Sequence, residues 1–117
     1  MPISPADKEN LIDTFLETKR KGHRAEINLR FQGKSEDADK LAKRNKKLST
    51  QIDKLIAQSM RQWNGSAATI ISNMKQSNTK LQASVNNIKK KLKVAQNVVK
   101  IIGFIDEAIE KAAKLAA

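Results

Sequence analysis

The stretch Ala67–Ile102, AATIISNMKQSNTKLQASVNNIKKKLKVAQNVVKII, decides the fold predicted for this chain. Its apolar side chains recur at alternating spacings of three and four residues over about five heptads. Such spacing is typical of a helix that packs along its whole length against other helices. We therefore predict one long helix over residues 67–115. The residues of its seam, which would pair within a hairpin or between chains, are Ile71, Met74, Asn78, Leu81, Val85, Ile88, Leu92, Val99 and Ile102.

The composition of the 117 residues supports an all-α fold. Aromatic residues are few, Lys is abundant, and only two Pro and four Gly occur, which favours long helices over a β-sheet. The length allows one domain, residues 1–117, built around a single core. Because the chain has no Cys, disulfides and thiolate metal sites are excluded.

A first helix is predicted over residues 5–21. Ser4 can cap its free amides, Pro5 suits the first helical position, and Gly22 can end the helix in a left-handed conformation. Residues 22–35 are predicted to be a loop or an irregular segment, because apolar and polar residues alternate within it. A short helical extension and a strand added to a partner's sheet are the alternatives for this segment.

A second helix is predicted over residues 36–63, since Ser35 precedes a run of acids suited to the positive end of a helix. Residues 64–66, Asn-Gly-Ser, predict a turn. A short turn between two long seams implies an antiparallel hairpin. The predicted architecture is a short N-terminal helix packed on a long antiparallel helical hairpin, coiled-coil-like, in an oligomeric bundle.

The predicted hairpin pairs most apolar residues well but leaves polar mismatches. Counting outward from the turn places Leu48 opposite Leu81, but Ile52 opposite Asn78. Asn78 would then leave an amide in the seam at a cost in stability, so Asn78→Val is predicted to raise the melting temperature. The interruption also predicts that a further helix or a second chain covers the seam.

Positive charge is concentrated in the middle of the chain. Residues 40–100 carry fourteen Lys and Arg against one acid, within a net charge of +11 for the whole chain. The predicted hairpin brings two basic groups together, far from its turn. They are Lys40, Lys43, Arg44, Lys46 and Lys47, and Lys89, Lys90, Lys91 and Lys93. We predict that these side chains bind an acidic partner; a solvated surface partly neutralised by acids of the first helix is the alternative.

Three kinds of anionic partner are compatible with such a surface: an acidic protein, an anionic membrane surface and the nucleic-acid backbone. The lack of interleaved aromatic residues argues against base recognition and leaves only non-specific nucleic-acid binding. The Lys-rich residues 89–93 precede an apolar-faced tail, a pattern of interfacial helices, so peripheral membrane binding is a further alternative. A protein partner, including a second copy of the chain, is the leading expectation.

The sequence contains no catalytic or metal-binding constellation. His23 is the only histidine, and the carboxylates occur as helix-cap and surface acids. We therefore predict a non-enzymatic interaction and oligomerisation module without cofactor, metal or small-molecule substrate. No stretch is apolar enough to span a bilayer, and the first ten residues lack the core of a signal peptide. This favours a cytoplasmic protein or one exported without a cleavable signal.

Trp63-Asn64-Gly65 is a Trp-x-Gly tripeptide at the predicted turn. This arrangement resembles the WXG family, the small helical-hairpin substrates of type VII secretion. The resemblance rests on Trp63 and Gly65 and covers residues 36–102 in architecture. It implies no enzymatic activity, export without a cleavable signal, and homo- or heterodimeric four-helix bundles. The chain has no Tyr, and so lacks the one expected in that family's secretion signal.

Overall fold

The described residues, 5–58 and 67–116 of a computed structural model, form four helices with no strand among them. The helices are α1 (Pro5–Phe31), α2 (Ser35–Ala57), α3 (Ala67–Lys89) and α4 (Val94–Ala116). They pack side by side in a bundle with extents of 46 × 22 × 17 Å. The predicted all-α bundle is confirmed, while the number and order of its helices differ from the prediction.

The first difference is the length of α1, which continues through Gly22 to Phe31. The prediction of a loop over residues 22–35 is wrong, and the alternative of a helical extension holds up to Phe31, because Ala25 and Leu29 prolong the buried stripe of this helix. Gly33, not Gly22, ends the helix: it has φ 73°, and the amide of Lys34 donates to the carbonyl of Leu29. This is a Schellman motif, in which a left-handed residue closes the last turn.

The second difference is a break in the predicted helix over residues 67–115. The amide of Leu92 donates to the carbonyl of Asn87 at 2.8 Å, and that of Lys91 to Ile88 at 2.9 Å, which forms a second Schellman motif. Lys91 takes the left-handed position with φ 60°. The chain then turns back as α4, and its buried stripe consists of Val98, Ile101, Ile105, Ala108, Ala112 and Leu115.

The third difference is the arrangement of the helices. α1 packs between α2 and α3, and α4 packs against the same two helices on the other side. α2 and α3 therefore lie diagonally opposite each other, and the predicted antiparallel pairing of Leu48 with Leu81 is wrong. Hydrogen bonds near the helix ends fix the directions: Lys8 Nζ, near the start of α1, donates to the carbonyl of Gln58, just after α2, and Gln32 Nε2, just after α1, donates to the carbonyl of Ile88, near the end of α3. α1 is thus antiparallel to α2 and parallel to α3.

The diagonal arrangement gives Asn78 polar partners that the sequence pairing did not provide. Its Oδ1 accepts a hydrogen bond of 2.6 Å from Thr18 Oγ1, and its Nδ2 donates to the carbonyl of Thr14 at 3.2 Å. Asn78 and both threonines are buried at the contact of α1 with α3. The premise that Asn78 is an unpaired seam residue opposite Ile52 is therefore wrong, since its amide is satisfied across a different interface.

In this arrangement Asn78→Val is expected to lower the free energy of unfolding by about 1 to 2 kcal/mol, because the hydrogen bonds to α1 are lost in a buried interface. Urea denaturation of Asn78→Val, Thr18→Val and the double variant measures this effect. The double variant should cost less than the sum of the single ones, since both remove the same bond. A higher melting temperature for Asn78→Val would contradict the expectation.

Gly22 lies where α1 meets both α2 and α4 in the core. A methyl group built on Gly22 would lie 2.9 Å from Ile105 Cδ1 of α4 and 3.2 Å from Asn45 Cγ of α2. Such distances are below ordinary van der Waals contact, so only a glycine allows α1 to pack this closely. The amide of Asn45 is buried there, and neither its oxygen nor its nitrogen has a hydrogen-bond partner among the described residues.

Candidate interface for an anionic partner

Both described turns lie at one end of the bundle, which we call the turn end. They are residues 32–34, between α1 and α2, and residues 90–93, between α3 and α4. The side chain of Gln32 donates from Nε2 to the carbonyl of Ile88 at 2.6 Å, which holds the two turns next to each other. A shallow groove between them is lined by Gln32, Lys34, Lys91 and Val94. The turn end is therefore one continuous surface.

The densest positive charge of the described residues lies on this surface. Lys89, Lys90, Lys91 and Lys93, which we call the lysine turn, are all exposed. None of the four forms an ion pair with another described residue. Moreover, the sequence between Asp53 and Asp106 contains no acidic residue. The charge of the lysine turn is thus not neutralised from its own segment, and the four ammonium groups repel one another.

The predicted basic residues of α2 occupy a different part of the surface. Lys40, Lys43, Lys46 and Lys47 are exposed, and Lys47 lies about 18 Å along the helix from its start at the turn end. Because α2 is diagonal to α3, the structure does not bring all nine predicted residues into one compact cluster. Arg44 is half-buried, and its Nε lies 3.5 Å from Asp106 Oδ1 of α4, so its charge is used within the fold.

The start of α2 adds negative charge to one side of the turn end. Glu36, Asp37 and Asp39 lie there, as the macrodipole of α2 favours. Asp39 Oδ1 accepts a hydrogen bond of 3.0 Å from Arg30 Nη2 of α1. This hydrogen bond and the charge of Asp39, with help from Glu26, raise the pKa of Arg30 above its usual value. The α1–α2 side is therefore mixed in charge, while the α3–α4 side is purely basic.

Large apolar side chains are exposed beside these charges. Phe31, the last residue of α1, is 85% exposed; Leu92, within the lysine turn, is 52% exposed. Val99, on the second turn of α4, is 69% exposed. The sequence pattern placed Leu92 and Val99 in the seam and gave no role to Phe31. A local sign for Leu92 was present, since it is the only apolar residue in the run Lys89–Lys93.

The other predicted seam residues are covered by the chain itself. Those that the structure buries are Ile71, Met74, Asn78, Leu81, Val85 and Ile88, and Ile102 is half-buried. Ile102 is on α4, and the others are on α3, which packs against α1 and α4 rather than α2. No second chain is needed to remove them from water, so oligomerisation stays a prediction.

Two further sequence predictions concern other parts of the chain. Trp63 and Gly65 lie outside the described residues, and the WXG resemblance stays a prediction.

His23 is exposed on α1, with Nδ1 3.9 Å from Glu26 Oε1. Within residues 5–58 and 67–116, no group of three His, Asp or Glu side chains could hold a metal ion. None of the helices in these ranges is long and apolar enough to cross a membrane.

Comparison with known proteins adds no functional assignment. No protein-family model matches the chain, and no curated protein or solved structure matches it.

Proposed function

We propose that this protein is a non-enzymatic helical module that binds an anionic partner through the lysine turn. The observation that supports this proposal is the set of four exposed lysines, unpaired among the described residues, in a segment that contains no acid. Lysines spread over a solvated surface usually have acids among them. Here the repulsion between neighbouring ammonium groups is relieved when a partner brings negative charge to the turn.

The proposed binding surface contains only some of the nine basic residues predicted from the sequence. Arg44 is not part of the proposed surface, since its guanidinium lies beside Asp106, and the lysines of α2 extend away from the turn end. Lys40 and Lys43 lie nearest to that end and extend the surface towards α2. A partner that contacts the lysine turn first therefore meets a localised positive charge, and its affinity should fall with salt concentration.

The main test replaces the lysine turn by four glutamines, as Lys89→Gln, Lys90→Gln, Lys91→Gln and Lys93→Gln. Binding is measured to polyglutamate, random-sequence duplex DNA and vesicles containing anionic lipid, each at low and high salt. We expect a loss of affinity for the preferred probe of roughly a hundredfold to a thousandfold, because each of the four lost charges weakens binding to an anionic surface by about 1 kcal/mol. Circular dichroism should show unchanged helicity.

A matched control removes the same charge elsewhere on the bundle. It carries Gln in place of four exposed lysines distant from the lysine turn, namely Lys54, Lys75, Lys80 and Lys114. Its affinity should change by less than about twofold at physiological salt, since charges beyond about 8 Å are screened. Equal losses in both variants, or no binding of the native protein to any probe, would show that the lysine turn is only a solvated surface.

Self-association is a second candidate function, favoured by the exposed side chains of Leu92 and Val99. A dimer that covered them would also explain why the sequence continues the seam pattern across the turn. The repulsion between two lysine turns opposes such a dimer. The dimer should therefore form more readily as salt screens this repulsion. Light scattering should then give an average mass that rises with salt concentration. Export in the manner of the WXG family remains a further proposal, supported by Trp63 and Gly65 alone.

A further inference from the structure

We propose that the anionic partner is a lipid bilayer surface, and that the protein binds it end-on, with Leu92 and Phe31 entering the interface. This inference rests on the proposed function and adds the chemical class of the partner. It is carried by exposed apolar side chains and unpaired lysines on the same end of the bundle. Charge alone fits any polyanion, whereas charge together with protruding apolar groups fits a surface that has both phosphate and hydrocarbon.

Leu92 is exposed for a local structural reason. In a Schellman motif the residue after the left-handed one usually packs against the residue five positions earlier. In the first turn the earlier residue is Leu29, which is apolar and buried, and the later one is Lys34. In the second turn the later residue is Leu92 and the earlier one is the polar Asn87, so the motif provides no apolar partner for Leu92 at that position. The motif thus leaves Leu92 exposed to the solvent, between two exposed lysines in the sequence, Lys91 and Lys93.

The backbone of the lysine turn supports a functional role for its side chains. Lys91 has φ 60° and Lys93 has φ 43°, both in the left-handed region that glycine adopts without strain. Glycine at either position would make the turn more stable, but it would remove a positive charge. Strained residues of this kind cluster at functional sites. Two lysines occupy positions that suit glycine better. This indicates that the positive charge of these side chains matters more than the stability of the turn.

Phe31 adds a second apolar group on the neighbouring turn. It ends α1, is 85% exposed, and is followed by the turn that Gln32 holds against α3. Aromatic side chains are favoured at the boundary between water and hydrocarbon. Lysines suit the same boundary, because their methylene chains contact the apolar layer while the ammonium groups remain at the phosphates. The turn end contains both kinds of side chain.

A nucleic-acid partner accounts for fewer of these features. Phosphate contacts would use the lysines, but an exposed leucine gains nothing from a solvated sugar–phosphate backbone. The lysine turn has no Arg for bidentate phosphate contacts. The observations therefore favour a bilayer, and nucleic acid becomes an outcome that the experiment distinguishes.

The test compares Leu92→Ser with the matched control Ile56→Ser, because Ile56 is 50% exposed at the opposite end of the bundle. Cosedimentation uses vesicles of phosphatidylcholine alone and with phosphatidylglycerol, with duplex DNA as a separate probe. We expect binding only to the anionic vesicles, a roughly tenfold loss with Leu92→Ser, and no loss with Ile56→Ser. DNA binding, if present, should not change with Leu92→Ser.

A second measurement locates the contact directly and uses the absence of native cysteine. Leu92→Cys and, as a control at the far end of α4, Ala113→Cys are each labelled with a polarity-sensitive fluorophore. Anionic vesicles should shift the emission of the label at position 92 to shorter wavelength and leave that at position 113 unchanged. Circular dichroism of both proteins checks that the bundle is intact.

The outcomes separate this inference from the proposed function. Binding to vesicles that survives Leu92→Ser without loss, or an unshifted label at position 92, overturns insertion. Binding to DNA or polyglutamate with no binding to anionic vesicles overturns the bilayer and leaves the lysine turn as a polyanion site. Failure to bind any of the probes overturns both proposals.

Discussion

Gly22→Ala is expected to lower the free energy of unfolding by about 2 kcal/mol, whereas Gly103→Ala is expected to raise it by about 0.5 kcal/mol. Both residues lie inside helices, where alanine is intrinsically preferred to glycine. At Gly103 a methyl group would meet nothing within 4 Å, so the preference acts alone. At Gly22 the methyl group would press on Ile105 and Asn45 in the packed core, and overpacking outweighs the preference.

Thermal and urea denaturation of the two variants measure these opposite signs. Asn45→Ala provides the control for the cause, because it removes one of the two side chains that the new methyl group would meet. Gly22→Ala should cost less in the Asn45→Ala background than in the native protein. If alanine stabilises the protein at both glycines, α1 does not pack as closely on α2 and α4 as the structure shows.

Leu81→Ala is expected to lower the free energy of unfolding by about 3 kcal/mol, and Leu92→Ala by less than about 0.5 kcal/mol. The sequence pattern gives both leucines the same role in one seam. In the structure Leu81 is fully buried in α3, whereas Leu92 is 52% exposed in the turn that follows. Removing Leu81 leaves a cavity among packed side chains, while removing Leu92 leaves a smaller side chain in water.

Guanidinium denaturation followed by circular dichroism measures this pair of variants under identical conditions. The comparison tests the break at residues 90–93 directly, since an uninterrupted helix packed along its seam would make both substitutions costly. If both variants lose several kcal/mol of unfolding free energy, the result would favour the unbroken helix over residues 67–115 and contradict the turn at residues 90–93. A small effect of Leu92→Ala is also needed for the vesicle experiment, because Leu92→Ser must leave the fold intact.

Local signals in the sequence predicted the helical class and the start of α2 to within one residue. α2 begins at Ser35, one residue before the predicted boundary, and has the predicted acids in its first turn; Lys34, and not Ser35, is its N-cap residue, without a side-chain cap hydrogen bond. The apolar stripe of α3 is buried as its period required. These features are encoded within a few turns of the chain, because caps and periodicity depend on residues close in sequence. They can be recognised without knowing what each helix packs against.

The packing of the helices could not be recognised in the same way. Gly22 has the sequence context of a helix end, and only the proximity of Asn45 and Ile105 shows that it is needed for close approach. The break at Lys91 has no Gly or Asn to signal it. Likewise, the apolar residues after Leu92 fit two overlapping stripes, and the choice of the one containing Val98 and Ile101 depends on the tertiary fold.

The basic surface was recognisable from charge alone, but its shape was not. The lysines are read directly from the sequence, whereas the pairing of Arg44 with Asp106 joins residues far apart in the chain. The exposure of Phe31 depends on where α1 ends, and the sequence pattern placed that end at the wrong glycine. The extent of the binding surface therefore had to come from the structure.

The diagonal placement of α2 and α3 also has a consequence for the order of folding. Each turn at the turn end closes a helical hairpin, α1 with α2 and α3 with α4, over only a few residues. The contacts between hairpins join residues such as Thr18 and Asn78, which are 60 positions apart. Short loops close at a small entropic cost, and long ones close slowly. We therefore expect the two hairpins to form early and their docking to set the folding rate.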